Sequence, residues 1–157
     1  MNHFLKLFGT IFIVTFAFSV TQAQERERKI RRDQLPPAVE QTVARESTGS
    51  TVKGVTTEVE HGQRVYEVSL NVEGHNKDIL IDKNGNILEV EEQVTLESLP
   101  AAVQDALKKA AGTGTFGVIE SMTKNGTLVG YEAHIRRGKK LLEVQVGPNG
   151  ERLKLPE

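Results

Sequence analysis

The chain has 157 residues, a formal net charge of −1, no cysteine and no tryptophan. Without cysteine there is neither a disulfide framework nor a thiolate metal site, so stability must come from a hydrophobic core. Beyond residue 23 the only aromatic rings are Tyr66, Phe116 and Tyr131, too few for the stacking platforms that single-stranded nucleic acid needs, and nucleic acid is not expected as a partner.

The N-terminus reads as an export signal. Lys6 precedes a charge-free run from Leu7 to Val20, and Thr21 and Ala23 place small side chains at the −3 and −1 positions before Gln24-Glu25-Arg26. That layout predicts a signal peptide over 1–23. A spanning helix needs roughly 20 apolar residues, more than this run supplies, so cleavage after Ala23 is expected instead of a membrane anchor. No cysteine follows the run, which excludes a lipid-modified N-terminus. The mature chain is expected in the periplasm or outside the cell, with no membrane insertion, and it opens with a charged arm over 24–32.

From there the chain matches itself at an offset of 64 to 65 residues. Leu35-Pro36-Pro37-Ala38-Val39 returns as Leu99-Pro100-Ala101-Ala102-Val103, Tyr66-Glu67-Val68 as Tyr131-Glu132-Ala133, and Asn84-Gly85 as Asn149-Gly150. Two units are therefore expected, 33–92 and 93–157. Each opens with a helix that starts at proline, where the missing N–H is not needed. Val39 and Val43 share one helical face, as do Val103 and Leu107, and Gly49 and Gly112 end the helices.

Strands follow. Residues 55–59 and 66–72 alternate with a period of two around a His61-Gly62 turn, 78–81 come next, and Asn84-Gly85 supplies the positive φ of a hairpin before 87–91. The second unit repeats this over 116–123, 131–137, 141–146 and 152–155. The expected fold class is α+β: two repeats of one helix followed by a four-stranded antiparallel sheet, with the helices packed on one face. A unit this small buries only about 60% of its unfolded surface. Two units sharing a sheet or packing edge to edge would protect strand edges, so one integrated body is expected.

The Leu-Pro-x-Ala-Val helix start, the Tyr-Glu-Val strand and the hairpin at 79–88 resemble the PepSY domain. The whole resembles the tandem PepSY-like proteins, whose architecture is similar to that of the β-lactamase inhibitory protein. The resemblance spans about 33–155 and implies a helix-plus-antiparallel-sheet fold with a non-catalytic role, such as restraining a peptidase or acting as an exported regulatory module. No attached peptidase or membrane domain is expected, and Gly147-Pro148 replaces Asp82-Lys83 in the second unit.

Chemistry is sparse. Gly112-x-Gly114-x-x-Gly117 matches a dinucleotide pattern, but it follows a helix and opens a strand, the reverse of what a pyrophosphate site needs. His61 and His75 flank a strand whose length, about 3.3 Å per residue, keeps them from sharing an ion, and they read as solvated turn histidines. Asp82-Lys83-Asn84-Gly85 has its glycine too early for an EF-hand and reads as a turn capping its own backbone. Acidic pairs such as Glu58 and Glu60 read as solvated. No catalytic residues, metal or cofactor are expected, and the protein is not expected to be an enzyme.

Charge is more suggestive. Residues 33–92 carry 5 Lys+Arg against 12 Asp+Glu, whereas 97–157 carry 9 against 7 and the arm 5 against 2. Such asymmetry either drifts on a solvated surface or orients a partner. Alternation puts Tyr66, Val68, Leu70 and Val72 under the helix, and likewise Tyr131, Ala133 and Ile135. Glu67, Ser69, Asn71, Glu132, His134 and Arg136 then face outward as the candidate partner-binding set, with hairpin tips such as Gly62 and Gly126 as the competing location. The leading expectation is a protein-binding module, inhibitor-like or regulatory. The alternative is a binder of small ligands or envelope components, although few polar groups face the expected core.

Overall fold

The computed structural model describes residues 27–153. The expected signal peptide over 1–23, the start of the charged arm and the end of the strand expected at 152–155 lie outside the described residues. Eight strands run β1 Arg28–Lys29, β2 Thr51–Glu60, β3 Gln63–Val72, β4 His75–Asp82, β5 Ile87–Gln93, β6 Thr115–Lys124, β7 Thr127–Arg137 and β8 Lys140–Val146. Helix α1, Pro37–Glu46, lies between β1 and β2, and α2, Ala101–Ala111, between β5 and β6.

All eight strands belong to one antiparallel sheet in chain order. This corrects the expected fold class of two helix-plus-four-strand repeats. The sheet dominates, and the two helices are short. Three features overturn the four-plus-four division. The charged arm supplies β1, which pairs with β2 at Arg28↔Thr57 and Lys29↔Thr56. A ladder from Glu89↔Lys124 to Gln93↔Glu120 joins β5 to β6, so no sheet boundary separates the halves. After β8 the described chain makes an isolated bridge, Val146↔Arg152, instead of a fourth strand.

Turn chemistry explains the meander. His61-Gly62, Glu73-Gly74 and Asn125-Gly126 each hold both residues at positive φ, the geometry that lets a two-residue loop follow the strands' own twist. The helices cover one face. Leu35, Val39 and Val43 pack on Val55, Tyr66, Val68, Leu70, Ile79 and Ile81. Leu99, Val103, Leu107 and Ala111 meet Ile119, Tyr131, Ala133, Ile135, Val144 and Val146 in a second cluster. Register places both clusters on the same side, because Val90 and Glu92 share a face and Glu92, Ser121 and Tyr131 lie in one cross-strand row.

Each helix also meets a glycine turn. A Cβ on Gly85 would lie 2.5 Å from the Ala38 carbonyl oxygen, and one on Gly150 would lie 2.5 Å from that of Ala102. Thr42 Oγ1 donates to the Gly85 carbonyl at 2.7 Å. The two Asn-Gly turns therefore do more than reverse the chain: they bring the backbone against the first turns of α1 and α2.

Candidate functional site

With α1 and α2 on one side, the other side of the sheet carries neither of these helices, and it is the helix-free face among the described residues. Alternation from Tyr66 and Val68 sends Val65, Glu67, Ser69 and Asn71 to that side. In β7 the same reasoning sends Glu132, His134 and Arg136 there. All six expected surface residues are thus brought to the helix-free face, in two groups separated by β4, β5 and β6. Asn71 Nδ2 donates to the His75 carbonyl at 3.3 Å, and Arg136 is exposed.

Between the groups lies a feature that alternation in single strands does not reveal. Register aligns Glu67 with Leu80 and Leu80 with Glu89, and it sets Asp78 directly opposite Glu91. With Glu58 and Glu60 from β2, these side chains line a trough of about 140 Å³. Val65 and Met122, on the same side, are buried although neither α1 nor α2 covers them. Six of the seven lining residues are carboxylates and the seventh is Leu80.

The clustering is electrostatically costly, since like charges directly opposite one another in a sheet destabilise it. Burial, then repulsion from Asp78, Glu27, Glu58 and Glu60, pushes the Glu67 carboxyl up from 4.5 to about 7. Burial, then Glu89, Glu120, Glu132 and Asp78, does the same to Glu91. Glu58 and Glu120 are also raised, burial being the first cause in each. Only Glu89 has a cationic partner among the described lining residues, Lys124 Nζ at 3.0 Å.

The β6–β7 end differs. Glu120 and Glu132 face each other across the strands, but Gln145 Nε2 donates to Glu132 Oε2 at 2.6 Å and His134 Nε2 lies 3.0 Å from Glu132 Oε1. Donor atoms of Glu120, Glu132 and His134 all lie within 4.8 Å of one another. These three are the described side chains best placed to share a cation, and Glu132 already has both oxygens engaged.

Two histidine and turn readings come out differently. His75 is not a solvated turn residue: it opens β4, with Nε2 3.0 Å from Glu92 Oε1, beside an open groove of about 480 Å³ that also touches Val94, Ser98 and Ser121. Asp82 does cap its own turn. Its Oδ1 accepts from the Asn84 and Asn86 amides at 2.8 and 2.9 Å. Partial burial would raise its pKa, yet the hydrogen bonds from Asn86 and Asn84 outweigh this and hold it below the ordinary value.

No family model matches the chain. The uncharacterized protein YkoJ of Bacillus subtilis (strain 168) is 26% identical over 140 residues, which cover 78% of this chain and 82% of that protein. Among solved structures, a protein of Bacteroides eggerthii DSM 20697 provisionally assigned to the periplasm superposes with a TM-score of 0.63 at 14% identity, covering 76% of this chain and 86% of its own. A DUF2874 family protein from Bacteroides ovatus ATCC 8483 gives 0.61 at 16%, covering 78% and 86%. A BLIP-like protein from Bacteroides fragilis NCTC 9343 gives 0.55 at 18%, covering 74% and 82%. The fold is BLIP-like. At these identities the likeness carries the architecture alone. Within this BLIP-like fold, no described helix is long and apolar enough to cross a membrane. Among the described residues, the helix-free face is a surface built from regular side chains held in register by the strand ladders.

Proposed function

We propose that the protein is an exported, non-catalytic binding module, inhibitor-like or regulatory, that holds a protein partner against the helix-free face of its sheet. The observation that carries this is the trough itself. Half-buried carboxylates are gathered on a rigid surface, and among the described residues most have no internal partner, an arrangement that costs stability and serves no packing purpose. The sequence layout of a signal peptide supports export to the periplasm or beyond, as does a neighbour of the same fold provisionally assigned to the periplasm. A BLIP-like neighbour and the PepSY resemblance favour restraint of a peptidase or another envelope enzyme. No cofactor or nucleic acid enters this reading.

The test is capture from the native exported fraction with the Glu67→Lys/Arg136→Glu chain. Arg136 is exposed, where changes generally shift stability by less than about 0.5 kcal/mol, and a lysine at Glu67 relieves repulsion among the carboxylates around it, so the melting temperature should not fall. Partner recovery should fall at least about tenfold, equivalent to about 1.4 kcal/mol. Undiminished capture, with loss on trimming the tips at Gly62 and Gly126, would move the site to the loops.

A further inference from the structure

The hairpin joining β7 to β8 has a counterpart between β3 and β4. Both are two-residue turns at the same distance from their tyrosines. The second closes with Arg136↔Leu141 and Arg137↔Lys140, the first with Asn71↔Asn76 and Val72↔His75. Gly138-Lys139 makes the second turn and Glu73-Gly74 the first. Residues 71–75 thus hold one acid and no Lys or Arg, whereas 136–140 hold four Lys or Arg and no acid. The backbone settings agree, so the fold does not dictate this charge.

Helix α2 extends the basic corner. Arg137 Nη2 donates to the carbonyls of Ala110 and Ala111 at 2.7 and 2.9 Å, which holds the hairpin against the last turn of α2. Lys108 and Lys109 are exposed in that turn. At the end of α1, by contrast, Arg45 is paired with Glu46 at 2.9 Å. Among the described residues none of Lys108, Lys109, Arg136, Arg137, Lys139 and Lys140 forms an ion pair. A separate observation is apolar. Leu141 stands where the first hairpin has Asn76, and at 69% it is the most exposed large hydrophobic side chain described. Core packing gives no reason for a leucine there, directly after Lys139-Lys140.

We propose that this corner docks on an anionic phospholipid surface, with the lysines and arginines at the headgroup phosphates and Leu141 entering the boundary above the acyl chains. Clusters of Lys and Arg of this size are what an anionic leaflet attracts, and an apolar side chain among them adds burial that a phosphate in solution does not offer. Two features choose a membrane over an acidic protein. Four of the six cations are lysines, which protein interfaces exclude. At a lipid surface, however, their aliphatic stems lie along the apolar boundary while the ammonium stays at the headgroups. Docking here is peripheral and needs no spanning segment. It is also separate from the binding of a protein on the sheet face, with Arg136 alone common to both, so the test leaves Arg136 unchanged.

The experiment sediments the mature chain with vesicles of equal parts phosphatidylglycerol and phosphatidylcholine, and with phosphatidylcholine vesicles alone, at about 0.15 M salt, where the Debye length of about 8 Å leaves close contacts as the main attraction. Only the anionic vesicles should carry the protein down. Lys139→Gln/Lys140→Gln should weaken that binding at least about tenfold, and Leu141→Thr at least about threefold. Lys53→Gln/Lys83→Gln removes the same charge at exposed positions away from the corner and should change binding by less than about twofold. Equal losses in the two lysine pairs would reduce the attraction to net charge and overturn the proposal. Undiminished binding by Leu141→Thr would leave a phosphate contact without lipid and overturn it as well, as would equal binding to both kinds of vesicle. If neither vesicle binds while Lys139→Gln/Lys140→Gln loses native capture, the corner is a contact for an acidic protein and membrane docking falls.

Discussion

Lowering the pH from about 8 to about 5.5 should raise the melting temperature of this protein. Glu67 and Glu91 carry carboxyls raised from 4.5 to about 7 in the fold. Below about pH 4.5 both groups are protonated in the folded and unfolded states, and neither opposes folding. Between about 4.5 and 7 the unfolded chain releases these protons while the folded chain keeps them, so stability falls as pH rises, and the loss is complete above about pH 8. A full shift of this size amounts to roughly 3 kcal/mol per group. Both side chains remain partly in contact with solvent, so screening reduces this to about 1–2 kcal/mol each. At the acid end, Glu40 is held low chiefly by its hydrogen bond from Arg32, and Asp82 is also lowered; their contributions are lost as pH falls below the ordinary carboxylate range. The optimum should therefore lie near pH 5. Glu67→Gln/Glu91→Gln should flatten the profile and gain about 2–4 kcal/mol at about pH 8, read as roughly 10 °C in thermal melts. A wild-type chain that melts higher at pH 8 than at 5.5 would remove the electrostatic basis of the trough.

The second large effect is expected at the turns under the helices. Gly85 and Gly150 have φ of 86° and 85°, and a Cβ at either would stand 2.5 Å from a helix carbonyl oxygen. Gly62 and Gly126, both at 77°, have nothing within 4 Å of that position. Alanine at Gly62 or Gly126 should cost only the backbone penalty, about 1 kcal/mol. At Gly85 or Gly150 it must also push the turn off its helix, and a loss of about 2–4 kcal/mol is expected. Urea melts of the four single variants separate the two contributions. Equal costs at Gly62 and Gly85 would show that the helix contact adds nothing.

These glycines also mark what the sequence made legible. Asn84-Gly85 and Asn149-Gly150 announce turns through composition, and they recur at matching places. Nothing local says that the missing Cβ admits a helix backbone, because that contact depends on where α1 and α2 lie. The same limit explains the error in fold class. The alternation in 66–72 and 131–137 was legible, and it correctly sent Glu67 and Glu132 away from the helices. The pairing of β5 with β6, and of Arg28–Lys29 with β2, is long-range edge pairing with no signature of its own. A single sheet therefore could not be distinguished from two. The trough was hidden for a related reason. The acidic excess in 33–92 was plain as a count, but Glu58, Glu67, Asp78 and Glu91 converge only once four strands are in register. Read strand by strand, Glu58 looked like an ordinary solvated residue and Glu67 like one member of an outward-facing set, with nothing to join them to Asp78 and Glu91.

The most direct test of the helix-free face as the binding surface is carboxyl footprinting of the mature chain with and without its captured partner. Amidation of accessible carboxylates followed by peptide mass spectrometry reports Glu58, Glu67, Asp78 and Glu91 separately from Glu46, Glu97 and Asp105. The partner should protect the first group at least about threefold and leave the second unchanged, as expected when contact buries one face of a domain. Protection confined to the helix-side carboxylates, with the trough fully reactive in the complex, would contradict the account.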